Sequence, residues 1–220
     1  MNVGAAARAL RNAGLAGLDL VAPGDWRTVE CWRTAWGAHD VLESARVFED
    51  LRSALAGSSY AAAFSGKPAR GTPVSDVREA ATEVVALGGA ETAALVFGPE
   101  TAGLTLEEIA LCGRRVLIPA DPAQPSLNLS HAVMVAAYEV FRAPRPSQPP
   151  PSRLATHDEK ERLLALLERG LTSVDALPRA NAARFFREWR ALFQRVDLTP
   201  KEVRLLEHMA RKMTGRPLVG

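Results

Sequence analysis

Ala93-Ala-Leu-Val-Phe-Gly-Pro-Glu-Thr-Ala-Gly-Leu104 is an apolar run of five residues that breaks into a loop carrying two glycines. Unbroken rather than alternating apolar character suits a strand covered on both faces, as in a parallel sheet. In the loop, Gly98 and Gly103 allow close backbone approach and hold an acid, Glu100, between them. A plain strand-to-helix turn, with Glu100 and Glu107 serving the next helix N-terminus, accounts for the same residues without any chemistry. Similar short runs stand at 18–22, 60–64 and 115–119, and helical periodicity fills 39–55, 74–88 and 105–112. Strands alternating with helices predict an α/β domain, a parallel sheet with helices on both faces. Ligands bind such sheets beyond the carboxyl ends of the strands, so chemistry is expected in the loops after Phe64, Phe97 and Ile118.

The last of these loops, Pro119-Ala-Asp-Pro-Ala-Gln-Pro-Ser-Leu-Asn128, leads into a helix whose apolar stripe is Leu129, Ala132, Val133, Ala136 and Val140. Ser126, Asn128 and Ser130 are all candidates to cap it. One cap suffices, so the surplus points to binding. At the start of the chain Val3, Ala6, Ala7 and Leu10 recur at helical spacing and Gly14 closes the run, which predicts a helix over 3–13 with Arg8 and Arg11 on its polar side. The chain has neither a GxGxxG nor a Walker loop, so a Rossmann dinucleotide site is not supported.

The 220 residues, 47% hydrophobic and 24% charged, describe a globular chain with room for one domain and an appendage. No stretch reaches the roughly 18–20 apolar residues of a membrane helix. The features of a secretory signal are lacking, and Cys31 and Cys112 stand too far apart for a CxxC motif, so a cytoplasmic, metal-free protein is expected. His39, His131, His157 and His208 have no mutual ligand spacing and read as structural or surface residues. The proline-rich run Ala143-Pro-Arg-Pro-Ser-Gln-Pro-Pro-Pro-Ser152 divides the chain into a domain over 1–143, a linker over 144–153 and a tail over 154–220. Charge divides there too: residues 1–150 hold 13 Lys and Arg against 16 Asp and Glu, residues 151–220 hold 14 against 9. Helices are expected near 156–170, 179–196 and 200–214, with packing stripes of Leu163, Leu164, Leu167, Leu171 and of Phe185, Trp189, Leu192, Phe193. Arg184, Arg187, Arg190 and Arg195 are then free to face an anionic partner, although a solvated helical face explains the basic balance as well.

Three motifs in order resemble the SpoU-type branch of the SPOUT RNA methyltransferases: Asn2-Val-Gly-Ala-Ala-Ala-Arg8, Phe97-Gly-Pro-Glu-Thr-Ala-Gly-Leu104, and Ile118-Pro119 through Ser126-Leu-Asn-Leu-Ser130 into the Ala132 helix. Gly37-Ala-His-Asp-Val-Leu-Glu-Ser-Ala-Arg46 and the tail segment Phe185-Phe-Arg-Glu-Trp-Arg-Ala-Leu-Phe-Gln-Arg195 are similar to the tRNA 2′-O-methyltransferases of the TrmJ kind. The resemblance implies a trefoil-knotted α/β domain that binds S-adenosylmethionine, with a small all-helical C-terminal extension. It also implies a homodimer with its site at the dimer interface, and a substrate that is the ribose 2′-hydroxyl of nucleotide 32 in the tRNA anticodon loop.

Residue by residue, the resemblance gives catalytic roles to Asn2, Arg8, Glu100, Ser126 and Asn128. It gives cofactor contacts, largely through backbone groups, to Gly98, Ile118, Ser126 and Leu127. Ser65, Gly66 and Lys67 are assigned to cofactor or RNA, and Arg11, Arg70 and the four tail arginines to RNA; the basic stretch around Arg70 is shorter than the family's. The family also has a strand and loop before its first motif, whereas Asn2 follows Met1 directly. Losing an interior parallel strand costs too much for a domain of about 5–15 kcal/mol stability, so a longer natural chain is expected. Two other functions stay open: the same reaction on ribosomal RNA, and RNA binding without catalysis.

Overall fold

Residues 2–15, 17–67, 69, 72–88, 91–145, 153–177 and 181–214 are described by the computed structural model of the chain. In order they form α1 (Asn2–Asn12), β1 (Asp19–Val21), α2 (Val29–Thr34), α3 (His39–Glu43), β2 (Arg46–Phe48), α4 (Leu51–Leu55), β3 (Tyr60–Phe64), β4 (Val74–Asp76), α5 (Val77–Ala86), β5 (Ala93–Phe97), α6 (Leu106–Cys112), β6 (Gly113–Leu117), α7 (Leu129–Arg142), α8 (His157–Ser173), α9 (Ala182–Arg195) and α10 (Pro200–Thr214). Four strands pair in parallel in the order β4-β6-β3-β5, and β1 and β2 form a separate parallel pair. On β3 the side chains alternate between two cores. Tyr60 and Ala62 meet Val77 and Ala80 of α5 and Ala136 of α7. Ala61 and Ala63 meet Leu51 and Leu55 of α4 and Ile109 of α6. Helices thus cover both faces of the four-stranded sheet, as the strand and helix alternation predicts.

Three boundaries differ from the sequence reading. The helix expected over 39–55 is three elements: Arg46–Phe48 leaves it to pair with β1, and the Arg46 guanidinium grips Asp19 at 2.8 and 2.7 Å. Asp50 then restarts a helix by accepting the Ser53 N–H at 2.7 Å. The pattern over 74–88 opens with β4, and Asp76, with Glu79, forms the capping box that begins α5 only afterwards. The strand expected over 115–119 begins at Gly113, which takes φ 75° to end α6 and enters β6 without a linker. The short α2, capped by Thr28, adds a helix in a stretch to which the sequence analysis assigns nothing.

α7 ends at Arg142 and α8 begins at His157; most of the proline-rich run between them, 146–152, lies outside the described residues. Leu163, Leu167, Val203 and Ala210 form the core of the helical end, with Trp189 and Phe193 against it. Leu192, expected in that stripe, is 40% exposed and faces away from it. The tail docks where β3 and β6 begin. Arg114 of β6 reaches the carbonyls of Gln194 and Arg195 at 3.3 and 3.0 Å and pairs with Asp197 and Glu83 at 3.0 and 3.3 Å, its guanidinium lying over the Tyr60 ring. Glu161 of α8 binds Arg52 of α4, Arg190 and the Gln194 amide. Among the described residues no helix is long and apolar enough to cross a membrane.

Candidate active site

β3, β5 and β6 end side by side, and the chain beyond each end walls a cavity of about 380 Å³. Ser65, Gly66 and Lys67 come from the first loop, Gly98 to Gly103 from the second, and Ile118, Ser126 and Leu127 from the third. Every residue assigned to the cofactor by resemblance therefore lines one cavity, at the strand ends where an α/β sheet is expected to bind a ligand. Phe64, Val116, Leu129 and Ala132 give the cavity an apolar lining, and Phe64 stacks on Phe97 behind it with centroids 4.4 Å apart.

Gly98 owes its identity to the turn that follows it. A Cβ there would lie 2.4 Å from the carbonyl carbon of Gly103 and from the Leu104 nitrogen. The loop folds back on itself through the Gly103 N–H, which donates to the Pro99 carbonyl at 2.7 Å. Glu100 sits at the tip of this turn, at the cavity mouth.

Asn2, Glu100 and Asn128, far apart in sequence, meet there. The Asn2 amide donates to one Glu100 oxygen at 2.5 Å and the Asn128 amide donates to the other. Asn128 also donates to the Asn2 carbonyl oxygen at 3.3 Å. Its own Oδ1 accepts the Ser130 N–H at 2.9 Å and the Ser130 hydroxyl at 2.7 Å, so Asn128, not Ser126, caps α7. An amide has two N–H donors; both of Asn128's are used, and among the described residues one of Asn2's has no acceptor. Asn2 is the first residue of α1 and spends its side chain on Glu100 rather than on capping.

Arg8 is exposed and makes no hydrogen bond or ion pair with another described residue. Gly4, Arg8 and Arg11 share one face of α1. At one end of that face Gly4 is pressed on the Cys31 carbonyl of α2, and at the other Arg11 pairs with Asp40 of α3 at 3.2 Å. Glu100 does not touch Arg8; its two oxygens are taken by the amides.

The remaining assigned residues separate into engaged and available. Lys67 turns its ammonium to the carbonyls of Ala102 and Leu104 at 2.6 and 2.9 Å, an arrangement with no local signature. Arg190, expected to face outward, is half-buried against Glu161 at 3.0 Å. Arg184 pairs with its neighbour Glu188 on the surface, and Arg187 and Arg195 are exposed. Arg70 lies outside the described residues. No group of three or more His, Cys, Asp or Glu that could hold a metal ion occurs among the described residues.

A model of the SpoU rRNA methylase family matches residues 1–138. The chain is 37% identical to the tRNA (cytidine/uridine/adenosine-2′-O-)-methyltransferase TrmJ of Pseudomonas aeruginosa (strain UCBPP-PA14), over 93% of this chain and 86% of that one. A crystal structure of TrmJ from Z. mobilis ZM4 matches with a TM-score of 0.84 at 31% identity, over 96% of this chain and 93% of that one. A structure described as giving insight into 2-OH methylation of C/U34 on tRNA matches with a TM-score of 0.50 at 31% identity, over 64% of this chain and 86% of that one. With a family model matching residues 1–138 and the likeness to TrmJ running over 93% of the chain, the protein belongs to the SpoU methylase family and, within it, to the TrmJ tRNA 2′-O-methyltransferases.

Proposed function

We propose that this chain transfers a methyl group from S-adenosylmethionine to the ribose 2′-hydroxyl of nucleotide 32 in the tRNA anticodon loop. The observation that carries the reading is the meeting of Asn2, Glu100 and Asn128 at the mouth of the strand-end cavity. The cavity fits the cofactor in size, since ligand pockets run about 300–1,000 Å³. It fits in chemistry too, with an aromatic and apolar floor and walls of loop backbone. When bound, S-adenosylmethionine supplies the methyl electrophile. Ser65 and Gly66, Gly98, Ile118, Ser126 and Leu127 would hold it, in the three loops read as those of the trefoil crossing.

The chain's own residues have to align the ribose oxygen and stabilise it as its proton leaves. Arg8, exposed and without a partner among the described residues, is the cation assigned to that task. A guanidinium, with a pKa above about 12, does not serve as a base, so Arg8 clamps: it holds a neighbouring phosphate and meets the developing negative charge on the oxygen. Glu100 gathers the two amides rather than orienting Arg8, and the spare N–H of Asn2 is the donor left for a ribose or phosphate oxygen. Arg11 can exchange its exposed partner Asp40 for a phosphate at little cost. Of the four arginines assigned to RNA in the tail, Arg187 and Arg195 are exposed, Arg184 has only its surface partner Glu188 to give up, and Arg190 is spent on Glu161. Met134, Tyr138 and Phe141, exposed at helical spacing along α7, supply the apolar face for a homodimer. Such a protein would work in the cytoplasm, where tRNA is modified.

Single-turnover transfer of radiolabelled methyl to tRNA, with the modified nucleotide mapped, tests this. Arg8→Ala is expected to lower the rate by about a hundredfold or more while tRNA still binds, and Arg8→Lys to keep part of it. Full activity in Arg8→Ala would remove Arg8 from the mechanism. A map to position 34 or to ribosomal RNA would reassign the target. Binding of tRNA should weaken steeply with salt, as phosphate contacts require.

A further inference from the structure

Ladder bonds stop where strands stop, so nothing in a parallel sheet itself ties together the loops beyond the strand ends. Here Lys67 does. Its ammonium donates to the Ala102 and Leu104 carbonyls at 2.6 and 2.9 Å, closing the end of the loop that carries Glu100. Its backbone carbonyl accepts the Arg115 guanidinium of β6 at 2.6 Å, and its N–H donates to the Ser65 hydroxyl at 3.2 Å. One residue of the loop after β3 is therefore bonded to the loop after β5 and to a side chain of β6. A surface lysine ordinarily leaves its head in water, and fixing it costs rotamer entropy. Two charge-assisted bonds to carbonyls just ahead of α6 outweigh that cost here.

We propose that Lys67 is a positioning residue for methyl transfer: its ammonium straps the Gly98–Leu104 loop to the loop after β3. The strap keeps Glu100 where Asn2 and Asn128 meet it and keeps the cavity in its binding-competent form. The proposal rests on the reading of that cavity as the cofactor site. Without the strap the competent fraction falls, and apparent cofactor affinity falls by the same factor.

The test uses the full chain with Lys67→Met, which keeps the length and loses the donors, and Lys67→Arg, which keeps donors. Hydrogen exchange over residues 98–105 is measured without ligand, and S-adenosylmethionine binding by calorimetry. In Lys67→Met the closed loop is expected to fall to about a tenth of the molecules, so that Kd rises about tenfold and exchange quickens by at least that factor. KM for S-adenosylmethionine should rise more than kcat falls, because saturating cofactor reorders the loop. Lys67→Arg should restore both exchange and affinity. Unchanged exchange in Lys67→Met overturns the strap. Lost affinity with unchanged exchange overturns it as well, by placing the ammonium on the cofactor directly. If the wild type binds no S-adenosylmethionine, the reading of the cavity fails, while the exchange comparison still decides whether Lys67 holds the loop.

Discussion

At Gly98 a single hydrogen atom decides whether the loop after β5 can close. The atoms a Cβ would meet, the Gly103 carbonyl carbon and the Leu104 nitrogen at 2.4 Å, are backbone and cannot swing aside as a side-chain tip could. Gly98→Ala must open the turn, parting Glu100 from Asn2 and Asn128. We expect it to abolish detectable S-adenosylmethionine binding by calorimetry while costing about 1–3 kcal/mol in denaturant unfolding, as overpacking does. Gly66, in the same cavity wall, has nothing within 4 Å of its added Cβ, and Gly66→Ala should leave unfolding unchanged. An equal loss of stability in both would mean that the tight turn is not what makes Gly98 special. Such residues were legible in the sequence because a glycine-flanked acid after an apolar run is a local pattern. Lys67 was not: its partners, Ala102 and Leu104, are reached only through the pairing of β3 with β5, and nothing local marks a lysine as a strap rather than a ligand.

Elements were legible where one signal dominated and illegible where two met. β3 and β5 match their expected bounds because each is a pure apolar run. β2 and β4 were read as helix because three residues are too few to show a period of two, and because the caps that restart α4 and α5, Asp50 and Asp76, also fit a helix interior exposed to water. The joint between α6 and β6 shows how an element boundary can carry tertiary structure as well. Gly113 holds φ 75°, and a Cβ there would lie 2.3 Å from the Gln194 Cβ and 2.7 Å from its carbonyl carbon. Gly113→Ala is strained in its backbone and pushes α9 off the sheet at once. We expect a loss of several kcal/mol, about 1–2 from the left-handed backbone and the rest from undocking. Limited proteolysis should then cut in the tail before the domain. A variant with an intact, protease-resistant tail would show that α9 is held by other contacts, Arg114 with Asp197 above all.

Across the whole molecule, the tail is joined to the domain by buried charge rather than by apolar surface alone, and this makes the union sensitive to pH. Lys160 is 1% exposed, and burial, helped by nearby Arg114, lowers its pKa to about 8. Between 8 and its ordinary 10.5 the unfolded chain binds more protons than the folded one, so its cost is present in full below 8 and stability rises with pH above it. His157 is 3% exposed, its ring nitrogens have no partner at hydrogen-bond distance among the described residues, and burial lowers its pKa from 6.5 to about 4. Glu161 pulls that value up, while Arg52 and Lys160 push it further down. Folded His157 therefore stays neutral while the unfolded imidazole takes a proton below 6.5, and stability falls with pH between 6.5 and about 4. The slope approaches about 1.4 kcal/mol per pH unit, or about 3 kcal/mol across the window. Burial raises the Glu161 carboxyl, but Arg190 and Arg52 outweigh it and hold the group below its ordinary 4.5, so its stabilisation is lost only beneath that pH. The interval from 6.5 to 5 thus isolates His157 from Glu161. Denaturant unfolding across it should show wild-type stability declining as acid is added, with His157→Leu, apolar and of similar bulk, flattening the decline. An equal decline in both would place the titrating group elsewhere. A shallow one in both would mean that water reaches the imidazole and that the tail sits less tightly on the sheet than Gln194 against Gly113 implies.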